Sequence, residues 1–334
     1  MKHKITLIRR IVQWAAFLFL FYGALLWPKP VEIGMLPAPK PDKSQPKTSK
    51  YADNRILWVS SKAAIFDFSL PTLTCRFMSI GPLFLSCSLH WFSENITWLT
   101  SLRIVLPHLL LFFVLAFVLA RFWCGWVCPL GAMQDVLNWI RKVLRLNPLI
   151  VSDGWNGFFA KTRQFLLYMS LVVSALIAIP AFGFEGANDA LFLIYCQLCP
   201  ARLIYPLFGG VKPCYYDFTN SITIFMTVLG WLFLAFFLVS LAVPRLWCRI
   251  CAIGALVSYF NRGGLARLEK NSQKCTFCGA CRRCCPVDIS LVYQARDQRV
   301  VTDPKCVLCL RCVQECPEKD CLEAKLAGQT IAKS

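Results

Sequence analysis

The sequence predicts an α-helical membrane protein of four transmembrane helices, arranged as two internal repeats and ending in a small α+β domain. Three observations carry that reading. Hydrophobic residues make up 57% of the 334-residue chain, too many for an ordinary soluble domain. Four apolar runs, roughly 8–27, 103–121, 164–182 and 221–243, can each cross a hydrocarbon core about 30 Å thick. Residues 270–334 are by contrast polar and dense in cysteine.

The elements follow in order. Residues 1–27 form an N-terminal membrane anchor. They lack a small-residue cleavage site and run into Trp27-Pro28, so a retained span is expected rather than a signal peptide. Residues 28–102 form an outer loop. Within it 37–50, PAPKPDKSQPKTSK, reads as a flexible linker. The stretches 63–92 and 186–216 are apolar but broken by Pro71, Pro82, Pro200, Pro206 and Pro213. They read as re-entrant or interfacial segments packed in protein, since irregular backbone cannot face lipid.

Residues 103–163 hold the second span and an amphipathic stretch, 131–146. There Met133, Val136, Leu137, Ile140 and Leu144 recur at helical spacing among Arg141, Lys142 and Arg145. That suits a helix on the inner membrane surface or an ordinary packed helix. Residues 164–260 hold the third and fourth spans with their outer loop.

The formal net charge is +18. The basic residues flank apolar spans, so topology explains them and no nucleic-acid partner is implied. Lys2, Lys4, Arg9 and Arg10 precede the first span, and Arg121, Arg141, Lys142, Arg145, Lys161 and Arg163 lie between the second and third. Arg245, Arg249, Arg262, Arg267 and Lys270 follow the fourth, whereas loop 183–220 has only Arg202 and Lys212. The positive-inside rule then puts both termini in the cytoplasm of a multi-pass protein of the bacterial inner membrane.

Cysteine carries the chemistry. The chain has 19, mostly in short-spaced groups that mean metal ligation more often than a disulfide lattice. Residues 275–286, CTFCGACRRCCP, space Cys275, Cys278 and Cys281 by two residues, with Cys285-Pro286 behind. Residues 306–317, CVLCLRCVQECP, repeat the spacing with Cys306, Cys309, Cys312 and Cys316-Pro317. This is the run of a bacterial 2[4Fe–4S] ferredoxin-like domain, whose fourth cysteine crosses to the other cluster. Cys275, Cys278, Cys281 and Cys316 are thus expected to hold one cluster, and Cys306, Cys309, Cys312 and Cys285 the other. Two full copies with terminal Cys-Pro argue against zinc knuckles. Cys284 and Cys321 fall outside the pattern.

A second repeat lies in the membrane part. Residues 121–132, RFWCGWVCPLGA, are echoed by 245–255, RLWCRICAIGA, each after a span. The second copy is one residue shorter between its cysteines, and Ala252 replaces the proline. Upstream, 87–97, CSLHWFSENIT, resembles 214–223, CYYDFTNSIT, and Cys75 stands where Cys196 does. Cysteines then gather at two depths. Cys124, Cys128, Cys248 and Cys251 form an inner set. Cys75, Cys87, Cys196, Cys199 and Cys214 form an outer set. Four thiols at one depth suit a [4Fe–4S] cluster or zinc, while buried cysteine as a small hydrophobe is the plainer reading of each alone. For the outer set, disulfides or a redox-active Cys196-x-x-Cys199 pair stand beside a cluster.

The Cys-Gly-Trp-Val-Cys-Pro-Leu-Gly-Ala motif after a span, a second Cys pair after a later span and a C-terminal double ferredoxin run together resemble the NapH/NosR/MauN-type membrane polyferredoxins. The likeness covers roughly residues 100–320. It implies the membrane component of a quinol dehydrogenase or of an electron supply to an exported reductase or maturation system. The family's second motif usually reads Cys-x-x-x-Cys-Pro, where this chain has Cys248-Arg-Ile-Cys251-Ala.

The expected function is iron–sulfur electron transfer between the cytoplasmic-side clusters and a quinol or periplasmic redox partner, such as a reductase or cytochrome. A cytoplasmic or membrane-bound redox donor would stand at the other end. One cofactor cannot bridge about 30 Å of bilayer, so membrane cysteines would hold one or two further clusters. The alternative is a maturation factor that reduces a metal centre or thiol of an exported enzyme. No Cys-x-x-Cys-His occurs, which excludes covalent c-type haem. The histidines are His3, His90 and His108. His108, within the second span, is a candidate quinol contact or is bonded to a neighbouring carbonyl. No nucleotide-binding glycine fingerprint occurs, so NAD or flavin would come from a partner.

Overall fold

The computed structural model describes residues 4–26, 102–178, 194–208 and 221–334. Cys75, Cys87, Cys214, His3 and His90 lie outside them. Helices occupy each expected span: α1 (Lys4–Leu26), α2 (Leu102–Leu119), α5 (Asp153–Ala178) and α8 (Ser221–Leu238). Between α2 and α5 lie the short α3 (Phe122–Trp126) and the longer α4 (Pro129–Val143). The short α6 (Ile194–Leu198) and α7 (Ala201–Phe208) precede α8, and α9 (Leu246–Ile250) and α10 (Ala252–Ser258) follow it. Among the described residues one helical stretch, Ile224–Leu241, is long and apolar enough to cross a membrane by length and composition.

The helices expose large apolar side chains and bury some polar ones, beside a buried apolar set that includes Phe17, Leu20, Phe112 and Leu167. Leu7, Ile11, Phe113, Phe165 and Leu232 stand exposed, while Arg9, Gln13, Ser170, Thr227 and Ser240 are buried. Water would favour the reverse arrangement. α4 shows the same inversion. Pro129 opens it at a position where no N–H is needed. It buries Gln134, Asn138 and Arg141 and exposes Trp139 and Val143.

The chain divides into two compact units. The first comprises residues 1–17, 110–167 and 236–334; the second comprises 18–109 and 168–235. In the second, the Tyr195 amide donates to Ser170 Oγ at 3.2 Å, and Phe21 packs edge-on against Tyr205. Cys196 and Cys199, at the end of α6, are both buried there.

The first unit contains the ferredoxin-type segment. Its sheet is antiparallel in the order β1 (Ala266–Lys270), β2 (Leu322–Leu326), β3 (Gln329–Lys333), with Ala266 opposite Leu326 and Lys270 opposite Leu322. Ala327 and Gly328, at φ 49° and 84°, form the two-residue turn between β2 and β3. The sheet therefore opens at Ala266, upstream of the expected boundary at 270. Glu269 hides the strand in a polar sequence, because Lys325 at 2.7 Å and Arg299 at 2.9 Å pair its carboxylate.

The helices α11 (Ala280–Arg283), α12 (Leu291–Gln294) and α13 (Arg311–Gln314) complete the segment. The two cysteine loops share a backbone. Phe277 and Leu308 both take positive φ (53° and 47°), and so do Gly279 and Leu310 (74° and 58°). Ala120 and Trp126 share a core with Leu268, Val301, Leu308 and Val313, so the segment packs on the residues that follow α2.

Candidate metal centre

The ferredoxin-type cysteines fall into two arrays. Cys275, Cys278, Cys281 and Cys316 line one cavity with Lys270, Phe277, Tyr293 and Cys321. Cys278 is exposed and the other three are half-buried. Cys285, Cys306 and Cys309 pack together in the second array, and Cys312 lies within electrostatic reach of all three. Burial first, then the Cys309 thiol, pushes Cys285 up to about 11 and raises Cys306 further. Cys284 and Cys321, outside the spacing pattern, are not remote. Cys321 lines the first cavity, and Cys284 senses Cys309, Cys285 and Cys281.

The inner cysteines also gather. Cys128 and Cys251 each cap the helix that follows, α4 and α10, with nearly the same backbone (φ −57°, ψ 120° and φ −63°, ψ 121°). α9 runs directly into Cys251, whereas Val127 intervenes after α3. The left-handed residue that starts each turn moves to compensate, from Ala120 in the first copy to Arg245 in the second. Burial, then Cys124 and Cys248, pushes the Cys128 thiol up, with Cys251 adding to it, although among the described residues no three side chains already stand as a metal-ligand group. Gln134 Nε2 donates to Cys248 Sγ at 3.3 Å, and its Oε1 accepts from the Trp247 amide at 3.0 Å.

The two copies are cross-braced. Arg121 Nη2 donates to the Cys248 carbonyl at 3.1 Å, and Arg245 Nη1 donates to the Cys124 carbonyl at 3.4 Å. Arg121 Nη2 faces the Gly254 position, and Arg245 Nη2 faces that of Gly131. The positive-inside reading counts these arginines as surface charges, yet each is 1% exposed. Their place before both Trp-Cys motifs was the sequence signal for this role. Asp135, which sequence reasoning also missed, pairs with Arg245 at 2.7 Å and meets Arg9 at 3.4 Å and Arg311 at 3.5 Å. Burial alone would raise the Asp135 carboxyl, but Arg245, Arg9 and Arg311 hold it well below the usual carboxylate range.

The inner set abuts the second array. Cys124 and Cys248 pack with Cys285, Cys306, Cys309, Val287 and Val307. Gly125 makes this approach possible, since a Cβ there would collide with the Val307 carbonyl oxygen. Trp126 Nε1 donates to the Leu308 carbonyl at 3.0 Å, and Asn261 Nδ2 to that of Cys306 at 2.8 Å.

The surroundings suit an anionic metal–thiolate group. Arg121 and Arg163 are buried cations beside these thiols, and the Nε of each lacks a hydrogen-bond partner. Four thiolates around an iron–sulfur core would supply the missing negative charge. In the outer set, Cys196 and Cys199 lie two residues apart within the second unit. His108 falls within α2.

Comparison with known proteins agrees with the two cysteine systems. Residues 105–147 and 223–270 each match the 4Fe-4S binding domain family, so both copies of the Trp-Cys motif fall under one description. Residues 267–317 match the 4Fe-4S dicluster domain family. A ferredoxin-type protein NapH from Escherichia coli is 29% identical over 204 residues, 59% of this chain and 60% of NapH. The chain resembles the ferredoxin-type NapH and MauN proteins. A methylamine utilization ferredoxin-type protein MauN from Methylobacillus flagellatus is 26% identical over 50% of this chain and 48% of MauN. An uncharacterized protein of Methanocaldococcus jannaschii is 28% identical over 67% of this chain and 79% of its own length. The chain spans only about half to three-fifths of the length of these MauN and NapH relatives. No solved structure matches it.

Proposed function

We propose that the chain conducts electrons along a line of iron–sulfur centres at the cytoplasmic face of a membrane. Cys275, Cys278, Cys281 and Cys316 hold the first cluster; Cys285, Cys306, Cys309 and Cys312 hold the second. Cys124, Cys128, Cys248 and Cys251 hold an inner centre. The packing of Cys124 and Cys248 against Cys285, Cys306 and Cys309 carries this reading, because it sets the inner thiols beside the second array. The exposed Cys278 makes the first array the port to a cytoplasmic-side partner. Each cluster, when bound, accepts and releases one electron. The chain's residues fix spacing and charge around it.

Exposed apolar side chains on α1, α2, α5 and α8 are in keeping with four spans, and the basic residues at their ends with termini in the cytoplasm. The far end of the line meets a quinol or a periplasmic redox partner. The likeness to MauN and the buried Cys196–Cys199 pair favour a second reading, reduction of a metal centre or thiol in an exported enzyme.

Iron analysis of anaerobically purified protein tests the inner centre. Iron should exceed the roughly eight atoms of the dicluster domain, and Cys124→Ser or Cys248→Ser should remove the excess. About eight irons, with a spectrum unchanged by Cys124→Ser, would sink it. Non-reducing mass mapping of Cys75, Cys87, Cys196, Cys199 and Cys214 then tests the outer set. Native disulfides there exclude a cluster.

A further inference from the structure

The two cross-bracing arginines occupy matching places but are neutralised unequally. Arg245 Nη2 and Nε donate to the two Asp135 carboxylate oxygens at 2.7 and 3.2 Å. Arg121 has no carboxylate among its described partners. Its fork ends on the carbonyls of Cys248 at 3.1 Å, Lys305 at 2.8 Å and Pro304 at 3.3 Å, and its Nε is buried without a partner. Arg121 also faces the Cys124 thiol. It therefore ties the inner set to the loop that leads into Cys306 and leaves a bare positive charge between them.

We infer that Arg121 is the positioning residue of the inner centre, setting both its potential and its distance from the second array. The inference rests on the reading of Cys124, Cys128, Cys248 and Cys251 as a redox centre. One electron leaves the second array and arrives on the inner centre, with no bond made or broken. The arriving negative charge is stabilised by the adjacent cation, which raises the inner centre's midpoint potential relative to a neutral neighbour. Arg245 differs in donating directly to a carboxylate, that of Asp135, which it shares with Arg9 and Arg311.

Redox-poised EPR of the full-length protein tests this. In Arg121→Gln the reduced-to-oxidised ratio of the inner signal at a fixed poise should fall about tenfold, which for one electron is about 59 mV. Iron content and the first array's signal should stay unchanged. Arg121→Lys, which keeps the charge but loses the fork, should hold the midpoint while slowing exchange with the second array several-fold. An Arg121→Gln protein with full iron and an unmoved inner midpoint overturns the potential-setting role. Should Arg121→Gln not fold, Arg121→Lys decides: unchanged exchange overturns the positioning role. A wild-type chain with no third signal and about eight irons overturns the inner centre itself, and the role of Arg121 with it.

Discussion

The contact at Gly125 gives the sharpest structural prediction. Gly125→Ala adds one methyl group where the chain of α3 meets the second cysteine loop. That methyl would strike the Val307 carbonyl oxygen and lie 3.4 Å from the Val307 carbonyl carbon and 3.5 Å from Cys309 Cα. All three are backbone atoms, so no side-chain rotation relieves the overlap. Overpacking of this kind costs about 1–3 kcal/mol. The shift also disturbs the Gly125 carbonyl, which accepts from Gln13 Nε2 at 3.0 Å and from Arg245 Nη2 at 3.4 Å. Weakening one of these adds about 1 kcal/mol. Alanine's better helix propensity offsets about 1 kcal/mol, leaving a net loss of roughly 1–3 kcal/mol. At about 2–4 °C per kcal/mol for a unit of this size, the apparent Tm in detergent should fall by roughly 2–12 °C. Gly157→Ala in α5 is the control, because nothing lies within 4 Å of a Cβ there. It should leave Tm unchanged or raise it. If Gly125→Ala melts at or above Gly157→Ala, the close approach of the two cysteine systems is wrong.

Asp135→Asn should destabilise the first unit by about 3–5 kcal/mol, since it strands the buried charges of Arg9 and Arg245 and takes the carboxylate from the half-buried Arg311. Thermal melts should show the double variant with Arg245→Gln losing less than the sum of the two single changes. Glu269 gives a pH signature. Burial would raise its carboxyl, but hydrogen bonds from Lys325 and Arg299 outweigh this and hold it below the usual range. Its folded pKa is therefore depressed. The stability it contributes is complete above about pH 4.5 and is lost as pH falls through the lower folded value. An acid melt of Glu269→Gln should lack that component, and parallel curves would refute the assignment. Cys321→Ala, beside the first array yet outside the ligand pattern, should leave iron content unchanged. Loss of iron would place Cys321 among the ligands.

The two ferredoxin-type cysteine runs were legible because each is local, repeating one spacing within twelve residues. The helices α1, α2, α5 and α8 were legible as apolar runs. The orientation of α4 was not. Periodicity separates Met133, Val136, Leu137 and Ile140 from Gln134, Asn138 and Arg141, but it cannot say which face meets protein and which meets the surroundings. The outcome, polar side inward, depends on Cys248, Ser240 and Trp247, all more than a hundred residues away. Arg121 and Arg245 were hidden for a related reason. Charge near a span end reads as topology, and only the fold reveals that each guanidinium turns inward toward the opposite motif. The strand at Ala266–Lys270 was masked by Arg267 and Glu269; Arg267 pairs with Glu269, whose other partners, Lys325 and Arg299, arrive from β2 and from residues 296–300.

The crossed arginine arms have the form of an isologous contact. One half's arginine meets the other half's cysteine, and the reverse holds, as in a two-fold dimer. Here both halves are drawn into one polypeptide. Neither can drift alone, because a substitution in one motif is felt in the pocket of its twin. A difference such as Val127, present in one half and missing from the other, has to be absorbed inside the same pair of turns. Covalent joining also lets the halves diverge in charge, which a true homodimer never could.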